Sequence, residues 1–306
     1  MKQIQIANTD IKASQIVLGC MRMNEPSLDA AKIIQTAYDN GVNFFDHADI
    51  YGGGTCESIF AKALKATTIS RSDIYIQSKV GIRPGIAFDF SKAHIIEAVE
   101  GSLKRLDTEY LDALLLHRPD TLVEPEEVAE AFTQLEKAGK VRAFGVSNQN
   151  PGQIELLKTA VKQSMNINQL QFGLMHTGMV DAGINVNMTN QAGLVRDSGI
   201  LEYSRIENMT IQAWSPFQYG FFEGPFVGNT EKFPELNTRL TELAEQYDST
   251  PSGIAIAFIN RHPAKMQTII GTMNLARIVE VTEGSDIVLT REEWYSLYQA
   301  AGNILP

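Results

Sequence analysis

The stretch Asn43-Phe44-Phe45-Asp46-His47-Ala48-Asp49-Ile50-Tyr51-Gly52 sets out, in order, an apolar strand, an acid at the strand's end and a tyrosine just ahead of a glycine-rich turn. The same pattern recurs downstream. Ile74-Tyr75-Ile76-Gln77-Ser78-Lys79 ends on a lysine, and Leu114-Leu115-Leu116-His117 ends on a histidine. Nearly continuous β-branched or leucine-rich runs of this kind are expected of strands buried on both faces. Between them lie segments with helical spacing: Ser91 is placed to cap a helix carrying Ile95, Val99, Leu103 and Leu106 on one face.

Upstream, residues 2–7 and 10–14 flank Asn8-Thr9-Asp10 and predict a small hairpin. Residues 15–19 predict a first buried strand. Ser27 predicts the cap of a helix carrying Ala31, Ile34, Ala37 and Tyr38, stopped by Asn40-Gly41. Strand 42–46 and helix 57–64 follow. Downstream the expected strands are 111–117, 141–146, 168–172, 209–214 and 268–271. The expected helices are 125–138, 152–162 after Pro151, 201–207, 235–248, 250–261, 275–283 and 291–301. Residues 173–199 give no clear period. Eight strand–helix units without a linker-like break predict an α/β fold, a closed (β/α)8 TIM barrel with an N-terminal β-hairpin and an extra C-terminal helix. The whole chain, 1–306, reads as one domain. An open doubly wound sheet is the competing architecture, but no G-x-G-x-x-G follows the first strand.

Composition narrows the function. A net charge of −10 argues against a nucleic-acid binder. The two cysteines, Cys20 and Cys56, make neither a disulfide framework nor a thiolate zinc cage. No apolar run suits a signal peptide or a bilayer span. The expectation is a soluble, cytoplasmic protein with no membrane partner, and a monomer is favoured.

On a barrel of this kind chemistry collects at the carboxyl ends of the strands. Asp46, Lys79 and His117 all fall there, with Tyr51 on the loop after strand two. Singly each has an ordinary explanation: a turn-capping acid, a solvated lysine, a packed tyrosine, a structural histidine. Together they make a proton-donating site. His47-Ala48-Asp49 could pass for a metal-ligand fragment, but His94, His176 and His262 supply no second pair at a recognisable spacing, so no metal is expected.

These residues resemble the aldo-keto reductase superfamily over essentially the whole chain. The segment 43–52 is similar to that family's strand-two signature, and Ile76-Gln77-Ser78-Lys79 and Leu115-Leu116-His117-Arg118-Pro119-Asp120 to its lysine and histidine segments. Lys140-Val141-Arg142-Ala143-Phe144-Gly145-Val146-Ser147-Asn148 resembles its fifth-strand motif. The resemblance implies NADPH-dependent reduction of an aldehyde or ketone, a small-molecule carbonyl substrate, to an alcohol. It casts Tyr51 as general acid, with Lys79 lowering the phenol's pKa, Asp46 holding the lysine, and a neutral His117 orienting the carbonyl.

The resemblance also assigns the cofactor side. Ser147, Asn148 and Gln169 match positions that hold the nicotinamide carboxamide. Trp214, followed by Ser215, Pro216 and Phe217, stands where an aromatic meets the nicotinamide ring. Gly271, Thr272, Asn274 and Arg277 fall at the phosphate end, with Arg277 matching the arginine for the 2′-phosphate. Gly271 replaces a basic residue found in many members, and Val281 a polar one, which weakens the implied NADP preference. Thr272, Asn274 and Glu280 retain polar capacity, and NADPH remains the expected cofactor. Residues 215–228, rich in glycine and aromatics, read equally as a flap or as a surface loop pinned by its rings. Two other functions stay open: a Schiff-base aldolase using Lys79, and a cofactor-binding regulatory protein with weak turnover.

Overall fold

The computed structural model describes residues 1–306. Strands β1 (Gln3–Gln5) and β2 (Lys12–Ser14) pair antiparallel as the expected hairpin. The chain then runs β3 (Ile16–Gly19), α1 (Ala30–Asp39), β4 (Phe44–Asp46), α2 (Thr55–Leu64) and β5 (Tyr75–Val80). A short excursion, β6 (Ile82–Arg83) and β7 (Ala87–Phe88), precedes α3 (Lys92–Leu106), β8 (Ala113–Leu116), α4 (Pro125–Lys137) and β9 (Phe144–Ser147). Next come α5 (Pro151–Lys158), β10 (Met165–Gln171), α6 (Gly178–Ile184), α7 (Ile200–Ile206) and β11 (Thr210–Trp214). A second small hairpin, β12 (Gln218–Tyr219) with β13 (Gly224–Pro225), leads to α8 (Pro234–Gln246) and α9 (Pro251–Asn260). The chain ends with β14 (Gln267–Ile270), α10 (Leu275–Gly284) and α11 (Arg291–Ala300).

Eight of these strands, β3, β4, β5, β8, β9, β10, β11 and β14, lie side by side in that order. All pair parallel, and β14 pairs back onto β3. This is the (β/α)8 barrel that the alternating pattern predicted. A large apolar cluster fills the space between sheet and helices. A smaller one lies inside the barrel, where Val17, Phe44, Leu115, Ile167 and Ile269 meet Ile6, Ile11 and Ala13 of the N-terminal hairpin. The hairpin is tied down by Ala7 N donating to Thr210 Oγ1 (2.9 Å) and by Asn166 Nδ2 donating to Ala7 O (2.9 Å).

One sequence expectation shifts, and one unread stretch gains structure. Helix α1 starts later than expected, with Asp29 rather than Ser27 as its cap, because the Asp29 carboxylate accepts from Lys32 N. The unreadable stretch 173–199 holds the short α6, which opens on Gly178, contains Gly183 and has no side-chain cap bond. Such a segment has neither length nor punctuation to betray it. Two helices, α8 and α9, separate the seventh barrel strand from the eighth, where helices 235–248 and 250–261 were expected. The extra C-terminal helix α11 packs its Trp294 ring on Phe258 (4.5 Å, 8°) and donates Nε1–H to Phe258 O (2.9 Å). No helix is long and apolar enough to cross a membrane.

Candidate active site

Asp46 ends β4 and Lys79 lies near the end of β5, so strand pairing alone brings their backbones together: Asp46 pairs with Gln77 in the β4–β5 register. The side chains finish the arrangement. Lys79 Nζ donates to Asp46 Oδ2 at 2.7 Å, to the backbone carbonyl of His47 at 2.8 Å, and to the Tyr51 hydroxyl at 3.0 Å. An ammonium has three protons, and all three are used here. Lys79 is 0% exposed and Asp46 2%. Tyr51 reaches this position because Gly52, Gly53 and Gly54 all take positive φ (56°, 64° and 89°), a tight passage into α2 that a β-carbon would resist.

The electrostatics follow from burial. Burial alone would lower the Lys79 pKa, but the Asp46 carboxylate and Tyr51 outweigh it and the net shift is upward, so the lysine stays charged. For Tyr51 burial is the largest effect and raises the phenol above its usual 10.0, with the Lys79 ammonium offsetting only part. This corrects the expected direction, since a lysine at 3.0 Å does not overcome the loss of water around a potential phenolate. His117, on the loop after β8, packs edge-on to the Tyr51 ring at 6.0 Å. Burial first, then Lys79 and Arg118, push it down to about 2, so it is neutral. Its Nδ1 is buried without a partner, which leaves Nε2 as the nitrogen available to the cleft.

The two neighbours that resembled metal ligands have other surroundings. His47 is fully buried, its ring set edge-on to Phe60 at 4.5 Å, and burial drives its pKa down to about 3. Asp49 is raised to about 7 by burial and by the nearby Glu57 carboxylate. Glu57 itself is held by Ser78 (2.7 Å) and Arg105 (2.8 Å) behind the lysine.

Beneath the predicted site, Asp46 and Gln169 join three glutamines that the sequence reading missed: Gln77, Gln212 and Gln267. Gln77 Nε2 donates to Asp46 Oδ1 (2.6 Å), and so does Gln169 Nε2 (3.0 Å). Both also donate to Gln212 Oε1, at 2.8 and 3.0 Å. Gln212 Nε2 donates in turn to Gln77 Oε1 (3.2 Å) and Gln267 Oε1 (2.9 Å), and Gln267 Nε2 to Ser14 O (2.8 Å). Gln77 stands two residues before Lys79 and Gln212 two before Trp214, so the period of a strand places each on the inward face of its neighbour. That spacing was the available signal.

A cleft of about 1190 Å³ opens from Tyr51 and His117 past Trp214 to Arg277. Every expected cofactor residue lines it: Ser147, Asn148, Gln169, Trp214, Ser215, Pro216, Phe217, Gly271, Thr272, Asn274 and Arg277. Ser147 Oγ donates to Gln169 O (3.0 Å) and accepts from Asn148 Nδ2 (2.8 Å), while Trp214 Nε1 donates to Asn148 Oδ1 (3.1 Å). Asn148 keeps one amide proton and one lone pair for a ligand, and the Trp214 ring is held in place. At the far end Asn274 caps α10 by accepting from Arg277 N (3.1 Å), leaving the exposed Arg277 side chain at the mouth of the cleft.

Residues 215–228 form the β12–β13 hairpin, with Phe221 (74% exposed) and Phe222 (46%) near its tip. Phe222 faces the Trp214 ring (6.2 Å, 24°), and its base is fastened by Asn237, whose Nδ2 donates to the carbonyl oxygens of Phe226 and Phe233. The stretch is thus both a wall of the cleft and a loop pinned by its rings. Arg118 also lines the cleft, with its guanidinium 5.8 Å from the Trp214 ring and no carboxylate partner.

The comparisons agree with this architecture. The aldo/keto reductase family profile matches residues 15–301. An uncharacterized oxidoreductase, YcsN, of Bacillus subtilis (strain 168) is 33% identical, with 98% of each chain covered. A 6-dehydroglucose reductase of Agrobacterium fabrum is 32% identical, also over 98% of each. Among solved structures, an aldo-keto reductase from Klebsiella pneumoniae in complex with NADPH superposes with a TM-score of 0.78 at 23% identity, covering 100% of this chain and 96% of that one, and so shares the fold. Family match, relatives and barrel converge: this chain belongs to the aldo/keto reductase family and is an oxidoreductase.

Proposed function

We propose that the protein reduces an aldehyde or ketone to an alcohol with NADPH, with Tyr51 as the general acid. The observation that carries this reading is the single ammonium of Lys79 bridging the Asp46 carboxylate and the Tyr51 hydroxyl at the floor of the cleft. The residues present fit the cofactor: Ser147, Asn148 and Gln169 offer amide and hydroxyl partners for a carboxamide, Trp214 a fixed aromatic face, and Arg277 an unpaired guanidinium for phosphate. When bound, NADPH supplies the hydride. Tyr51 gives its phenolic proton to the alkoxide oxygen, and Lys79, kept charged by Asp46, stabilises the phenolate left behind. Neutral His117 donates a hydrogen bond to the carbonyl oxygen and turns it towards Tyr51. In this reading residues 1–306 work as one domain and as a monomer.

The same ammonium weighs against a Schiff-base aldolase, which needs a neutral lysine with a free lone pair. Lys79 is fully buried, triply bonded and shifted towards the charged form. The complete set of four residues speaks against a regulatory protein with weak turnover. A panel of aldehydes, ketones and quinones, followed by loss of NADPH absorbance, tests the reading. NADPH consumption with at least one carbonyl is expected, and none with any of them would overturn it.

Two substitutions probe the ends of the cleft. A β-carbon added at Gly271 meets nothing within 4 Å, and the position has no positive φ. Gly271→Lys therefore fits without strain and adds a cation at the phosphate end. NADPH affinity is expected to rise about tenfold relative to NADH, a gain of roughly 1.4 kcal/mol, read by fluorescence titration with both cofactors. At the substrate end Arg118 offers five N–H donors to an oxygen-rich carbonyl compound, and the 6-dehydroglucose reductase among the relatives makes a sugar aldehyde the first candidate. Arg118→Met should raise KM for glyceraldehyde or a sugar aldehyde about tenfold, the loss of a charged hydrogen bond, and leave benzaldehyde nearly unaffected. Equal changes for both would exclude this role.

A further inference from the structure

We infer that the buried glutamines are an orienting relay that fixes the polarity of the Gln169 amide, so that its Oε1 alone faces the cleft and accepts a hydrogen bond from an –NH2 group of the cofactor. The inference rests on the functional reading above and sharpens it. The argument is an accounting of donors and acceptors. Gln169 Nε2 has two protons, and both are taken: one by Asp46 Oδ1 at 3.0 Å, one by Gln212 Oε1 at 3.0 Å. Neither acceptor can reverse. A carboxylate only accepts, and Gln212 is pinned from below because its own –NH2 is committed to Gln77 Oε1 and Gln267 Oε1. Gln267 is pinned in turn by the backbone carbonyl of Ser14, which also only accepts.

The relay thus runs between two acceptor-only ends, Asp46 and Ser14, and only one assignment of nitrogens and oxygens satisfies every rung. Gln77, Gln212 and Gln267 are 0% exposed and Gln169 4%, so water cannot substitute for a broken rung. A reversed Gln169 amide would set its oxygen against the Asp46 carboxylate and Gln212 Oε1, which leaves buried acceptors facing one another. Gln169 is therefore an acceptor towards the cleft. It selects the carboxamide by its amino half, and through Asp46 Oδ1 the same side chain touches the group that holds Lys79. Gln77, Gln212 and Gln267 are positioning residues: none of them lines the cleft.

The test is binding, not turnover. NADPH and its 3-acetylpyridine analogue, which carries a methyl group in place of the carboxamide –NH2, are titrated against the full chain by fluorescence. The wild-type protein is expected to bind NADPH roughly tenfold more tightly than the analogue, one hydrogen bond's worth. Gln212→Leu removes one of the two acceptors that hold the Gln169 amide and leaves Asp46 alone to orient it, and the ratio should fall at least threefold. Gln212→Glu, which when protonated keeps a carbonyl acceptor for Gln169 and a donor for Gln267, should restore most of it. If Gln212→Leu does not fold, Gln267→Leu removes the lower rung and should move the ratio in the same direction. A folded leucine variant with the wild-type ratio, or a wild-type protein that does not distinguish the two, overturns the inference. Absence of NADPH binding to the wild-type protein would instead sink the functional reading.

Discussion

Tyr51→Phe is expected to lower kcat for carbonyl reduction by about 10²–10⁴-fold, the usual span of general acid catalysis, with NADPH affinity changed less than twofold. The substitution removes one oxygen and little else. The ring keeps its edge contact with His117 and its place 4.9 Å from the Lys79 ammonium. What is lost is the hydroxyl that Lys79 touches at 3.0 Å. Steady-state kinetics alongside a cofactor titration check it, and unchanged turnover in the variant would remove Tyr51 from the mechanism. The pH dependence of the wild-type protein is fixed by the same geometry. Reduction needs the protonated phenol, and burial raises its pKa above 10.0. The raised value extends the acid form upward, so the reduction rate should stay level through neutral pH and fall only as Tyr51 ionises at alkaline pH. Alcohol oxidation needs the phenolate and should rise over that same range. His117, pushed down to about 2, is neutral throughout and adds no inflection near 6.5.

The barrel and its rim were legible because they are written in residue types that strands and caps require. Runs such as Leu114-Leu115-Leu116 announce strands buried on both faces, and Asp46, Lys79 and His117 punctuate their ends. The start of α1 was misplaced by two residues because Ser27 and Asp29 are both good caps, and only geometry decides which reaches Lys32 N. The α6 region hid for a different reason: its two glycines blur the helical period. The glutamine relay was missed because an amide inside a barrel has no meaning until its partners are known. Gln169, Gln212 and Gln267 are far apart in sequence and meet only when the sheet closes. The sign of the Tyr51 shift needed structure too. Sequence supplies the lysine that lowers the pKa but not the burial that raises it.

Lys79→Met should abolish measurable reduction and also destabilise the fold, and the two losses can be separated. Lys79 and Asp46 are a buried pair at 2.7 Å. Removing one partner of such a pair costs about 3–5 kcal/mol, because the charge left behind has no compensation. Here Asp46 would still accept from Gln77 and Gln169, so the lower end of that range is expected. Thermal melting of Lys79→Met should therefore show a clear fall in Tm. Asp46→Asn removes the charge left stranded in that variant, so the double variant Asp46→Asn/Lys79→Met should be more stable than Lys79→Met alone, a coupling that a double-mutant cycle measures directly. Catalysis should not recover with stability, since nothing remains to stabilise the Tyr51 phenolate. A double variant that regained both would mean that Lys79 serves only the fold. Stability regained with turnover still lost assigns the ammonium to the proton transfer itself.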